Sequence, residues 1–318
     1  MTTQFGNRSW AVILGGSSGF GLATAHKLAE HGMHLCVVHR DRRSQLARIE
    51  PEFEKLRSHG VQLLTLNADA LDAEKRSEIL DQLAAAMGAE GRVRVLLHSV
   101  AFGNLKLLVA EKERPHPRGD ARGALARALG IPRERLVAVA DELFAQGLDE
   151  LHAVASPPQY PARAFLDAED FARTIHSMGT SLLDWTQDLH ARGLFASDAR
   201  VFGLTSEGNS VAWKGYAAVS AAKVSLEALA RSIAVEFAPH GVRCNVIQAG
   251  VTETPALAAI PGSAVLKAQA RLRNPFGRLT QPRDVANAIY LLSLDDAAWI
   301  NGEVIRVDGG EHISGATS

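Results

Sequence analysis

Cysteine, net charge and long apolar runs are what this chain has least of, and each shortage removes a class of function. Only two cysteines occur in 318 residues, Cys36 in "LCVVHR" and Cys244 in "VRCNVIQAG", both inside apolar runs and far from a second thiol. That excludes a disulfide framework or a thiolate metal centre, and reads as reduced core thiols. His31, His34 and His39 cluster near one strand without an acidic or thiol partner, so no metal is expected. A formal charge of −1 argues against a nucleic-acid or membrane surface as partner. No charged-then-apolar leader appears, and no apolar run approaches the ~20 residues of a bilayer span. The compartment expected on these grounds is the cytoplasm.

What is present is a core and a rhythm. Hydrophobic residues make up 47% of the chain, enough to bury a full core. "WAVILGG" (10–16) precedes a helix expected from Phe20 to His31, and "LCVVHR" precedes a charged helix from Ser44 to Ser58. "VQLLTLNAD" leads into a helix from Ala73 to Met87, after which comes "VRVLLHSVA". Near-continuous apolar strands alternating with helices predict an α/β fold, a doubly wound parallel sheet covered on both faces. The rhythm resumes with one long helix over "DFARTIHSMGTSLLDWTQDLHARG", a strand "ARVFGLTS" and a helix from Tyr216 to Pro239. It ends with "VRCNVIQAG", a helix from Pro282 to Leu294 and a last strand "EVIRVDGG".

Between Gly103 and Asp167 the rhythm breaks. Prolines 115, 117, 132, 157, 158 and 161 bracket two short helical patterns, and no internal repeat is visible. About sixty residues is marginal for an independent core, so residues 104–167 read as a mostly helical insertion within a single domain spanning 1–318.

Chemistry enters at "LGGSSGFGLA". Gly15, Gly19 and Gly21 form G-x-x-x-G-x-G between the first strand and first helix. There, missing side chains let backbone approach a pyrophosphate at a helix N-terminus. Arg40, nineteen residues after Gly21 at the end of the second strand, stands where a carboxylate would accept from an adenosine ribose. A cation there favours a 2′-phosphate, hence NADPH over NADH, with Arg42 and Arg43 behind it.

These features, with "ADALD" at Asp69, "HSVAFG" (98–103), a Tyr/Lys pair in "YAAVSAAK" (216–223), "NVIQAGVTET" (245–254) and the terminal "GEVIRVDGG", resemble the short-chain dehydrogenase/reductase family. Within it the chain is similar to the enoyl-acyl-carrier-protein reductase branch, through His98, Ser99, Phe102, Tyr216, Lys223, Ala249 and Gly250. The resemblance covers about residues 8–103 and 168–318, leaving the insertion outside. It implies a Rossmann-type fold and contacts to the cofactor from Gly15, Ser17, Ser18, Gly19, Phe20, Gly21, Arg40, Asp69, Ala70, Ser99, Val100, Ala101, Lys223, Ala249, Gly250, Val251, Thr252 and Thr254. It also implies a homo-oligomer, dimer or tetramer, acting in fatty-acid or related acyl-chain synthesis.

The Tyr-x6-Lys spacing has a physical reading of its own. At about 100° per residue, seven positions bring Tyr216 within about 20° of the face of Lys223, displaced ~10 Å along the axis. In ordinary ketoreductases of the family the tyrosine lies four before the lysine; here that position is Val219, which has no proton to give. A phenol moved along the helix suits a conjugated enoyl thioester, where hydride goes to the β-carbon while charge develops on the thioester oxygen. Tyr216 would stabilise that enolate, and Lys223 would hold the nicotinamide ribose and lower the phenol's pKa.

Ser206, seventeen before Lys223, occupies the place of the family's carbonyl-polarising serine. A polarising role and a turn-capping role are both open. Backbone groups of Val251 and Thr252 and the Thr254 hydroxyl are expected at the nicotinamide carboxamide. The apolar stretch after Pro255 reads as a mobile cover over the substrate or as a surface helix. Residues 111–135 carry Lys112, Arg114, Arg118, Arg122, Arg127, Arg133 and Arg135 against four carboxylates, net +3. Such a surface would steer an acyl carrier protein or coenzyme A, or simply solvate a helical hairpin.

Overall fold

The computed structural model describes residues 4–112, 120–160 and 165–315. Seven strands form one parallel sheet: β1 (Ser9–Leu14), β2 (His34–His39), β3 (Leu63–Asn67), β4 (Arg92–His98), β5 (Phe195–Ser206), β6 (Val242–Ala249) and β7 (Val304–Val307). Their order across the sheet is β3-β2-β1-β4-β5-β6-β7. The unbroken apolar runs follow from burial on both faces. Trp10, Val12 and Leu14 enter one core with Cys36 and Val38, while Ala11 and Ile13 enter the other with Leu35 and Val37.

Helices cover each face. In chain order the first three are α1 (Gly19–Glu30), α2 (Arg43–Arg57) and α3 (Ala73–Met87), the last opened by Asp72, whose carboxylate accepts from Lys75 N. The insertion contributes α4 (Ala121–Leu129), α5 (Arg133–Ala145) and a 3-10 turn over Asp149–Ala153. Then come α6 (Ala168–Ile175), α7 (Ser181–Ala191), α8 (Ala217–Glu236), α9 (Pro255–Ala258), α10 (Ser263–Arg273) and α11 (Pro282–Leu292). Leu83 of α3, Trp185 of α7 and Leu226 of α8 pack on one face; Leu28 of α1, Phe53 of α2 and Ile289 of α11 pack on the other. The fold is the expected Rossmann-type single domain with its helical insertion after β4.

Two expectations change. The long helix over 170–193 is interrupted by a π turn, His176–Thr180, between α6 and α7. The cause is packing: a Cβ on Gly179 would lie 2.8 Å from the Ala222 carbonyl oxygen, so the turn widens where it meets the backbone of α8. Two cations of the insertion's basic strip, Arg122 and Arg133, are also engaged within the protein. Arg122 donates to the carbonyls of Ala153, Val154 and Ala155 at 2.8–3.2 Å, and Arg133 pairs with Asp120 at 2.8 Å. Arg122 therefore holds the insertion together, while Arg114 and Arg118 lie outside the described residues.

Strand order reverses between β1 and β4. The crevice beyond the carboxyl ends of these two strands is where open α/β sheets bind ligands. Register puts Leu14 opposite both Val38 and His98, so the turns after β1, β2 and β4 gather at that crevice.

Candidate active site

At the floor of the crevice the glycine turn meets β4. A Cβ on Gly15 (φ 80°) would lie 2.4 Å from the Ser99 carbonyl oxygen, and one on Gly21 would lie 2.3 Å from that of Gly15. Only glycine permits this approach. Ser18, at the N-cap of α1, makes no side-chain cap, and the first turn of α1 carries no acidic residue. Its amides and positive dipole end face the cleft beside Gly19 and Phe20, a fit for the pyrophosphate of a dinucleotide. Ser99, Val100 and Ala101 line the same cavity, as do Ala249, Gly250, Val251, Thr252 and Thr254, whereas Ser17, Gly21, Arg40, Asp69 and Ala70 do not. The Ala70 carbonyl instead accepts from the Trp185 indole at 2.9 Å.

Beyond β2 and β3, two charged residues meet. Arg40 pairs with Asp69 at 2.5 Å, and its guanidinium lies 4.8 Å from the Phe102 ring centroid. Asp69 also accepts from Leu71 N. His39, read from sequence as lacking an acidic partner, bonds Asp41 at 2.8 Å. The partner sits two residues on, just beyond the end of β2.

The reacting end brings Ser206, Tyr216 and Lys223 to one cavity of about 260 Å³. Tyr216 is the N-cap residue of α8 rather than part of its helical face, with φ −109° and ψ 3°. Its hydroxyl nevertheless reaches 3.3 Å from Ser206 Oγ at the end of β5. Burial raises the phenol's pKa, with the Ser206 hydrogen bond lowering it in part, so the group is a proton donor near neutrality. Lys223 is buried and donates to the Leu204 carbonyl at 2.8 Å. Burial pulls its pKa down to about 8, with Glu227 one turn along α8 acting in the opposite sense. His98 is buried beside Ser181 at 2.8 Å; burial first, then the nearby Lys223 charge, pushes its pKa to about 3, so the imidazole is neutral.

Around these groups Leu105, Met178, Trp213, Val219, Ile260 and Leu266 form an apolar wall. Val219 lines this wall, at the position four before Lys223. Opposite lies a polar cluster that sequence reasoning missed. Glu207 takes a two-pronged contact from Arg273 of α10 at 2.8 and 2.6 Å. Arg273 also reaches Glu311 at 3.0 Å, and Glu311 in turn accepts from Val251 N at 3.2 Å. Burial raises the Glu311 pKa, against the lowering effect of Arg273. Two groups expected at the carboxamide are thus already engaged, since the Thr254 hydroxyl accepts from Leu257 N and caps α9. The available signal was the carboxylate of Glu207 directly after Ser206 at a strand end.

Comparison with known proteins agrees with the fold. A family profile described as enoyl-(acyl carrier protein) reductase matches residues 134–312, and one described as short chain dehydrogenase matches 9–114. The cis-4-hydroxycyclohexanecarboxylate dehydrogenase of Sinomonas cyclohexanicum is 28% identical over 94% of this chain and 95% of its own. The enoyl-[acyl-carrier-protein] reductase [NADH] FabI of Aquifex aeolicus is 39% identical over 31% of this chain and 37% of its own. The crystal structure of FabI from Candidatus Liberibacter asiaticus superposes with a TM-score of 0.72 at 17% identity, covering 100% of both chains.

The lowered Lys223 pKa has a measurable sign. Between about 8 and the ordinary 10.5, the unfolded chain keeps a proton that the folded chain has lost, so this group adds stability as pH rises through that window. Urea unfolding from pH 7.5 to 9.5 should show the wild type gaining on the order of 1–2 kcal/mol over Lys223→Met. Parallel curves for the two proteins would place the ammonium in water.

Proposed function

This chain belongs to the short-chain dehydrogenase/reductase family, and on that premise we propose that it is an NADPH-dependent enoyl-thioester reductase. The observation that carries the reading is the position of the acid. Where a ketoreductase of the family has its phenol the wall offers Val219, and the phenol comes instead from Tyr216 at the lip of α8. When bound, the nicotinamide supplies hydride to the β-carbon of the enoyl group. Tyr216 donates to the thioester oxygen, where the electron pair displaced from the double bond accumulates. Lys223, which donates to the Leu204 carbonyl, would hold the ribose hydroxyls. The apolar wall keeps water from the enolate.

A specific observation favours a second reading. Ser206 Oγ and Tyr216 Oη, 3.3 Å apart, could together hold a single carbonyl oxygen, as a carbonyl reductase would require. NADPH oxidation with a crotonyl thioester, set against a panel of ketones, separates the two. We expect thioester turnover, and Tyr216→Phe should lower it by ~10²-fold with the fold retained. Wild-type turnover in that variant would remove the assignment.

The cofactor preference rests on Arg40. Its guanidinium, which pairs with Asp69 and lies over Phe102, would take the 2′-phosphate. Arg40→Gln should lower kcat/KM for NADPH by about 10- to 100-fold, the loss of a charged hydrogen bond, with little change for NADH. An unmoved ratio would shift the role to Arg42 or Arg43. The acyl carrier, protein or coenzyme A, and a dimeric or tetrameric assembly belong to the same proposal.

A further inference from the structure

Helix α10 carries two arginines two residues apart. At about 100° per residue they point to nearly opposite sides of the helix. Arg273 faces inward, gripping Glu207 and Glu311. Arg271 faces the insertion, where the buried carboxylate of Asp149 receives two of its N–H groups at 2.5 and 2.6 Å. The insertion reaches the other end of α10 as well. Gly262, just before the helix with φ 78°, is so close to Pro158 that a Cβ would lie 2.8 Å from its Cγ. The insertion therefore holds α10 at both ends, and α10 holds the residue following Ser206.

On the far side the same strand-end loop is braced independently. Thr205 and Asn209 both donate to Glu227 of α8. With Glu207 fixed by Arg273, the loop that carries Ser206 is held from two directions. Ser206 Oγ is the hydrogen-bond partner of the Tyr216 hydroxyl, so displacement of Glu207 displaces the phenol's neighbour.

We infer that Asp149 is a positioning residue of the reaction: through Arg271, α10 and Arg273 it fixes Glu207, and with it the Ser206–Tyr216 geometry. The insertion thereby acts as a structural part of the active site, and the segment after Pro255 is a clamped brace. The inference rests on Ser206 and Tyr216 lying at the reacting end and is indifferent to whether the substrate is an enoyl thioester or a ketone.

Two measurements test it on the full chain. Hydrogen exchange of the unliganded protein needs no substrate: Asp149→Asn should raise exchange in 263–273 and also in 204–209. Kinetics use a short uncharged compound that the wild type reduces. Asp149→Asn should lower kcat by between tenfold and ~10²-fold, as misplacement far from the chemistry does, and by more than it changes the cofactor KM. Arg271→Gln, which keeps an amide donor for Asp149, should behave alike and serves if Asp149→Asn does not fold. The exchanged pair Asp149→Arg with Arg271→Asp should recover kcat to within about threefold. Asp120→Asn, which loosens the insertion without touching α10, should leave kcat unchanged. Loosening confined to 263–273, unchanged kcat in the Asp149 and Arg271 variants, failure of the exchanged pair to recover, or an equal loss in Asp120→Asn would each overturn the inference.

Discussion

The close seating of α8 under the carboxyl edge of the sheet is the constraint from which the site follows. Gly203 of β5 lets Leu226 approach so closely that a Cβ would meet its Cδ2 at 2.9 Å, and Gly179 does the same for the Ala222 carbonyl oxygen at 2.8 Å. With no side chains to hold it away, the helix is pressed between β5 and the π turn. Lys223 is then buried beneath Leu204, and the start of the helix, with Tyr216, arrives beside Ser206. A larger residue at either glycine would lift α8, wet the ammonium and separate the two hydroxyls.

Electrostatics builds on that seating. Burial lowers the Lys223 pKa while it raises that of Tyr216, so one group is easily deprotonated and its neighbour holds its proton more tightly. Three carboxylates near the site have partners: Glu227 accepts from Thr205 and Asn209, and Glu207 and Glu311 pair with Arg273. Removing Arg273 would leave the buried Glu207 and Glu311 carboxylates without their cation, so these contacts stiffen the loop bearing Ser206.

The sheet and the dinucleotide turn were legible in the sequence because their causes are local. A strand buried on both faces must read as a continuous apolar run, and a turn where an added Cβ would lie 2.4 Å from a carbonyl oxygen must be glycine. The Tyr216 and Lys223 spacing was legible for the same reason, although helix geometry overstated it: Tyr216 stands at the cap, outside the first turn. The π turn was hidden because its cause, Ala222, lies on another helix. The Glu207, Arg273 and Glu311 cluster and the Asp149–Arg271 pair join segments 38 to 122 residues apart, and a charged residue shows no preference for its partner in its neighbours. Arg122 misled for the converse reason, since a cation that caps carbonyls 31 to 33 residues away looks solvated in sequence.

The central claim is that a phenol set at the lip of α8 serves conjugate reduction. Mass spectrometry and NMR of the product formed in ordinary water from NADPH deuterated at the transferred C4 position address it directly. The account predicts a saturated thioester carrying one deuterium on the β-carbon and none on the α-carbon. Deuterium found on a carbinol carbon from a ketone, with the enoyl thioester returned unlabelled and unreduced, would contradict it.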